Sequence, residues 1–320
     1  MDTTRRRLLQ AGWTVPAAAL TVAAAAQPAR AAGDDHAGDC HGRLAPVVTA
    51  AADWAPVAQA LGREGKLLDD GRVYRVGFAR RDLTVVSGAV TIKPALSLGS
   101  YAAFTRYRDG QVLLMGDLVV TEQEMPAVTD ALQAAGLAQT GIHKHLLAHE
   151  PQLWWTHIHA VGDPVSAARG VRAALDHTGT PPPAPANTTP GELDTAALDQ
   201  ALGRTGAWDG GVYKYTIARA ETITDHGRTL TPGMGVTTGL GFQPAGDGQA
   251  AVNGDIAMRA DEVQPVITAL RGGGVAVVEL HNHALHDEPR MFYLHFWGHA
   301  DAQALARTLR AAVNATATTP

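Results

Sequence analysis

The sequence predicts an α+β fold made twice, a tandem duplicated domain in which each copy is an antiparallel sheet with helices packed on one face. Three observations carry that expectation. A histidine-rich cassette recurs at an offset of 138 residues: His143-Lys144-His145, Glu150-Pro151 and Trp154-Trp155-Thr156-His157 return as His281-Asn282-His283, Glu288-Pro289 and Phe292-Tyr293-Leu294-His295. The match runs without a gap from Met115-Gly116-Asp117 (Asn253-Gly254-Asp255) to Asp163 (Asp301), and a period this long indicates domain duplication rather than a solenoid. Short alternating apolar segments bounded by Gly and Asp precede the cassette, as strands joined by tight turns require. Helix signals flank it in both copies.

Each copy opens with a short helix closed by Leu61-Gly62-Arg63 or Leu202-Gly203-Arg204. Strands are expected over 73–76, 85–92, 102–107 and 112–120, with counterparts at 212–217, 229–230 and 237–242. Thr121-Glu122-Gln123-Glu124 is a capping box in which hydroxyl and carboxylate satisfy free helix-start amides. Met125, Val128 and Leu132 then form one apolar stripe, and Gly136 ends the helix. The cassette strands follow. Asp163-Pro164 starts the last helix as an N-cap with proline at the first helical position.

The chain divides into a twin-arginine signal peptide (1–31), a flexible leader (32–53), repeat one (54–177), a proline-rich linker (178–192) and repeat two (193–314). Arg5-Arg6-Arg7-Leu8-Leu9, a short apolar run and Ala29-Arg30-Ala31 carry the signal reading. Removing it takes away four arginines and one aspartate, moving the formal net charge from -5 to about -8. An acidic chain without a basic stripe excludes nucleic acid as a partner. The apolar run is too short and alanine-rich for a stable membrane span. Cys40 is the only cysteine, so no intrachain disulfide forms, and Asp39 before it argues against lipid attachment.

On a strand, residues two apart point the same way, so His143 and His145 share a face, as do His281 and His283. If the hairpin register sets His145 opposite His157, three imidazoles converge, as a zinc-like site needs; a one-residue slip breaks it. The candidate metal ligands are therefore His143, His145 and His157, and His281, His283 and His295. Glu150 and Glu288 on the turns, and Asp117 and Asp255 after glycine, are the candidate catalytic carboxylates or further ligands. The Gly-Asp step also fits an ordinary turn or bulge. Glu279, opposite in sequence to Gly141, favours repeat two as the better-equipped site. His159 is a candidate fourth ligand in repeat one; His149, His286 and His299 are expected in exposed turns, and His177 and His226 at the surface. His-Asn-His lacks the spacing of a nuclease motif, and the chain has no phosphate loop, nucleophile elbow or His-Glu-x-x-His.

Residues 73–78 (Val-Tyr-Arg-Val-Gly-Phe), 91–100 (Thr-Ile-Lys-Pro-Ala-Leu-Ser-Leu-Gly-Ser), 115–119 (Met-Gly-Asp-Leu-Val), 280–283 (Leu-His-Asn-His) and 288–297 resemble the LppY/LpqO family of exported bacterial proteins. The resemblance covers both repeats and implies an envelope or extracellular location; it supplies no activity. The favoured reading is an exported, zinc-like divalent-metal-dependent hydrolase acting on a small-molecule or cell-envelope substrate. A copper or iron redox or oxygen enzyme is an alternative. So is a non-catalytic envelope or small-ligand binding protein, with contacts from Trp154, Trp155, Phe292 and Tyr293. Oligomeric state stays open.

Overall fold

A computed structural model describes residues 43–185 and 190–319. The expected signal peptide and Cys40 lie outside the described residues. Repeat one comprises α1 (Ala55–Leu61), β1 (Lys66–Leu68), β2 (Val73–Ala79), β3 (Val86–Ser87), β4 (Val90–Thr91), α2 (Pro94–Ser97), β5 (Gly99–Arg106), β6 (Val112–Thr121), α3 (Met125–Ala134), β7 (Ala138–His143), β8 (His149–Glu150), β9 (Leu153–Gly162) and α4 (Pro164–Leu175). Repeat two comprises α5 (Thr195–Leu202), β10 (Ala207–Asp209), β11 (Val212–Ala218), β12 (Thr224–Asp225), β13 (Arg228–Thr229), β14 (Thr237–Gly246), β15 (Gln249–Met258), α6 (Val263–Gly272), β16 (Ala276–His281), β17 (Asp287–Glu288), β18 (Phe292–Asp301) and α7 (Ala302–Asn314).

The long strands form two six-stranded antiparallel sheets of identical order, β1-β2-β5-β6-β9-β7 and β10-β11-β14-β15-β18-β16. Each is a duplicate of the other, as the fold class read from the sequence requires. Strand alternation sorts the side chains into two faces. Leu114, Leu118, Val120 and Ile158 pack beneath Val128, Leu132, Val171 and Leu175 of α3 and α4, while Val252, Ile256 and Phe296 pack beneath Leu305, Leu309 and Val313 of α7. Each such side chain contributes about 1.5–3 kcal/mol on burial.

The helices hold their ends as expected. Asp163 accepts from Ser166 N at 2.8 Å and Asp301 from Ala304 N at 2.8 Å. Thr121 and Glu124 exchange both capping-box hydrogen bonds, although the helix itself begins at Met125, three residues later than a box capped by Thr121 implies. Gly136 leaves α3 at φ 69°, which glycine adopts without a Cβ penalty.

The other face of each sheet meets the other repeat. Leu113, Met115 and Tyr107 pack with Met234, Ala257 and Met291; Val119, Leu153 and Trp155 pack with Val212, Ala251 and Trp297. The layers therefore run helices, sheet, sheet, helices. Two expectations are revised. The segment 85–92 is no single strand: Gly88 turns it into the β3–β4 hairpin, which joins β8 in a small sheet matched by β13-β12-β17. Residues 44–49, expected within a flexible leader, bond to both repeats through Leu44 N to Gly227 O and Val47 N to Arg106 O.

Candidate functional site

Strand pairing delivers the first four groups. Asp117 on β6 lies directly across from His157 on β9, and Asp255 on β15 directly across from His295 on β18, all four on the face between the sheets. The preceding glycines let the neighbouring strand approach: a Cβ at Gly116 would collide with the Tyr101 carbonyl, and one at Gly254 with the Gly239 carbonyl. The Gly-Asp step is thus mid-strand, and neither a turn nor a bulge.

The edge strands deliver the rest. β7 and β16 end on His143 and His281, and His145 and His283 follow in the turns. His157 pairs with Gly141, not with His145, so the parity needed for convergence holds while His145 has already left the strand. Gly141 is small because a Cβ there would lie 2.7 Å from Asn282 O. The two edges are laced across: Asn282 Nδ2 donates to Thr140 O at 2.7 Å, and Thr140 Oγ1 to His283 O at 2.5 Å. Glu279 lies opposite His295 and accepts from Lys144 N at 2.7 Å.

The two cassettes consequently meet in one cluster. Ring centroids are 4.0 Å apart for His143–His281, 4.6 Å for His143–His157 and 4.5 Å for His281–His295. Cross-repeat pairs close it, with His145–His295 at 3.7 Å and His157–His283 at 4.0 Å. Asp117 Oδ2 is 3.4 Å from His145 Nε2, and Asp255 Oδ2 is 2.9 Å from His283 Nε2 without the alignment of a hydrogen bond. Trp155 stacks on His145 at 4.4 Å and Tyr293, its counterpart, on His283 at 3.4 Å.

Hydrogen bonds to the backbone fix ring orientation. His157 Nδ1 donates to Gly116 O (3.2 Å), His295 Nδ1 to Gly254 O (2.8 Å) and His283 Nδ1 to Gly235 O (2.9 Å). Nε2 of each is then a bare lone pair. These three Nε2 atoms, both nitrogens of His281, Nδ1 of His143 and one oxygen each of Asp117 and Asp255 are buried with no hydrogen-bond partner among the described residues. Ligand atoms fall within 4.8 Å of one another in the sets His143-His157-His281, His143-His145-His295 and Asp255-His281-His283.

Burial disfavours every charge here. It pushes His157 down to about 3 and His283 to about 4, and holds His143, His145, His281 and His295 well below the ordinary imidazole value, with neighbouring imidazoles adding repulsion. It also raises the Asp117 carboxyl and pushes Asp255 up to about 6. The imidazoles are neutral near pH 7, beside two carboxylates whose charges lack a cationic partner in contact.

Some expectations fail. Glu150 and Glu288 sit on β8 and β17, whose pairing with β3 and β12 carries them to exposed positions; neither belongs to any of the ligand groups. They cannot act there as base or fourth ligand. His149 is buried rather than exposed, accepting from Leu153 N at 3.0 Å, whereas His286 and His299 are exposed. His159 points to a different group, with Nε2 2.7 Å from Asp225 Oδ2. Trp154 and Phe292 turn to the helix side of their sheets. The favouring of repeat two also gives way, since both repeats build one cluster.

Sequence reading missed the buried arginines that brace each half. Arg80 Nη1 donates to Val119 O at 2.9 Å and pairs with Asp82 and Glu124; Arg219 Nη1 donates to Ala257 O at 2.9 Å and pairs with Glu221 and Glu262. The signal was present in Arg80-Arg81-Asp82 and Arg219-Ala220-Glu221 after equivalent strands. Asn253, which donates to His145 O at 2.6 Å and Phe296 O at 2.9 Å, was also missed.

No curated protein matches the chain. Among solved structures, the double-ringed trimeric shell protein MSM0271 from the RMM microcompartment overlaps 64% of this chain and 82% of its own at 17% identity and a TM-score of 0.18. The trimeric bacterial microcompartment shell protein PduB covers 79% and 90% at 12% identity and 0.22, and EtuB from Clostridium kluyveri 79% and 90% at 14% and 0.19. Overlaps of that quality carry no functional argument. With the two turn glutamates outside the cluster, the expectation of a metal-dependent hydrolase is withdrawn; that of twin-arginine export to the envelope rests on residues outside the described ones and is not carried further. No helix among the described residues is long and apolar enough to cross a membrane. The resemblance to LppY/LpqO proteins is corrected by the family model: residues 55–177 and 196–315 each match the Domain of Unknown Function (DUF1259), and the chain belongs to that family in two copies.

Proposed function

We propose that the protein is a non-catalytic binding protein that holds a divalent transition-metal ion between its repeats, zinc first and copper or iron as alternatives. One observation carries the reading: buried polar atoms of five histidines and two carboxylates converge without partners, with His145 beside them, its Nε2 3.0 Å from His143 Nε2. A buried polar atom left unpaired costs about 1–3 kcal/mol, and a bound ion removes several such costs together. One dication also balances the two aspartate charges. Imidazole and carboxylate suit zinc, copper and iron alike.

The residues divide the work. His157, His283 and His295 are set for ligation through Nε2 by their backbone carbonyl partners. His143 and His281 lie at the centre, and His145 with the aspartates completes the shell. Trp155 and Tyr293 wall the cluster, which suits retention of an ion more than entry of a substrate.

The test is a competition titration of chelator-stripped protein with Zn²⁺ and Cu²⁺, alongside His143→Ala/His281→Ala. At least one equivalent is expected to resist dialysis, and to be lost in the double variant. Absence of binding tighter than about 10 μM (about -7 kcal/mol) in the wild type, or binding indifferent to the double substitution, overturns the proposal. Visible and paramagnetic spectra separate zinc from copper and iron.

A further inference from the structure

We infer that the chain carries a second, more exposed divalent-metal site, made by His159, Asp225 and His226 with His286 beside them. His159 follows His157 by two residues on β9, so it shares the inter-sheet face about 6.5–7 Å further along the strand. There it meets the β12–β13 hairpin of the other repeat. Its Nε2 is 2.7 Å from Asp225 Oδ2, and the ligand atoms of His159, Asp225 and His226 lie within 4.8 Å of one another. His226 and His286 are exposed, with ring centroids 4.5 Å apart, and His226 lies 5.7 Å from His159.

A plain ion pair between His159 and Asp225 explains part of this, but two observations go beyond it. Asp225 is 1% exposed, and its second oxygen is buried with no hydrogen-bond partner among the described residues. An ion pair does not need that orphaned oxygen, whereas a metal ion uses it. The duplication supplies the second observation. At the 138-residue offset, His159, Asp225, His226 and His286 correspond to Trp297, Ser87, Gly88 and Ala148. That equivalent corner folds through the same hairpin, with Gly88 at φ 58° where His226 stands at φ 47°. The fold therefore requires none of the four ligand-type residues, yet all four gather at one corner. His226 even occupies a left-handed turn position for which glycine is the easier choice.

Two or three imidazoles with one carboxylate suit Zn²⁺, and Cu²⁺ or Ni²⁺ equally by ligand type. Exposure on the His226 side makes the ion exchangeable, unlike one held in the inter-sheet cluster.

The experiment is a Zn²⁺ titration by calorimetry on the full chain. It compares wild type, Asp225→Asn, His226→Gly/His286→Ala and His143→Ala/His281→Ala, with circular dichroism confirming the fold. The second of these variants installs the residues of the equivalent corner, so the turn remains satisfied. A chelator-labile equivalent is expected in wild type, weakened at least about 30-fold by the Asp225 and His226/His286 changes and kept in the His143/His281 variant. The inference is overturned if wild type shows no labile equivalent. It is also overturned if that equivalent survives the His226/His286 change within twofold, or vanishes with the His143/His281 change. Failure of the inter-sheet cluster reads out separately, as loss of the dialysis-resistant equivalent.

Discussion

Replacing Asp255 by asparagine is expected to stabilise the metal-free protein while weakening its hold on metal. The carboxyl titrates at about 6 in the fold against 3.8 in an unfolded chain, chiefly because burial disfavours its charge. At about 1.36 kcal/mol per pH unit, the ionised form costs about 3 kcal/mol. Since 17% of the side chain remains in contact with solvent, about 2 kcal/mol is the fairer figure. The folded-state value is raised, so the native protein binds this proton more tightly than the unfolded chain. Its stabilising effect is full below about pH 3.8 and is lost as pH rises through 6. The Asp255→Asn variant should therefore match wild type near pH 4 and exceed it by about 2 kcal/mol at pH 7.5, several degrees in melting temperature. With metal the sign reverses. A dication about 4 Å from a carboxylate gains about 8 kcal/mol at an effective dielectric of 20, well above the burial cost. Affinity for Zn²⁺ should then fall at least about 100-fold, or about 2.7 kcal/mol. Chemical denaturation with chelator and with saturating Zn²⁺ measures both arms. A variant less stable than wild type at pH 7.5 without metal, or equal to it in affinity, refutes the reasoning.

Three further outcomes are expected. The metal-free protein should lose stability as pH falls from 6.5, because His157 and His283 stay neutral in the fold to about 3 and 4. By pH 5 they cost about 4 kcal/mol together, against about 1 kcal/mol regained from Asp255, so denaturation midpoints that stay level from pH 7 to 5 contradict this. Gly254→Ala should destabilise by about 2–3 kcal/mol, since its Cβ collides with the Gly239 carbonyl, whereas Gly77→Ala, with open space around it, should stay within about 1 kcal/mol of wild type; denaturant midpoints compare them. Arg219→Met should cost about 3–5 kcal/mol by stranding the Glu262 and Glu221 carboxylates, and calorimetric unfolding checks the loss.

The repeat made much of this legible. His143/His281, His145/His283, His157/His295 and Asp117/Asp255 stand at one offset, and the two-residue spacing of each His-x-His sends both of its imidazoles to the same side of the chain. The joining of the two cassettes was not legible, because it depends on two sheets packing face to face, and both sheets read alike as one-sided. Glu150 and Glu288 misled because nearness in sequence to the histidines gave no sign that β8 and β17 leave for the small sheets. His149 was misjudged for the opposite reason: unmatched in the other copy, it looked dispensable, yet its ring caps the Leu153 amide. Arg80 and Arg219 passed unnoticed among ordinary surface charges, since only tertiary packing buries them.

Anomalous diffraction at the metal absorption edge, from crystals grown with one equivalent of Zn²⁺, decides whether an ion sits between the two repeats. A peak is expected between the sheets, within about 2.0–2.2 Å of histidine nitrogens from both repeats. No peak in that space, or ligands drawn from one repeat alone, would contradict it.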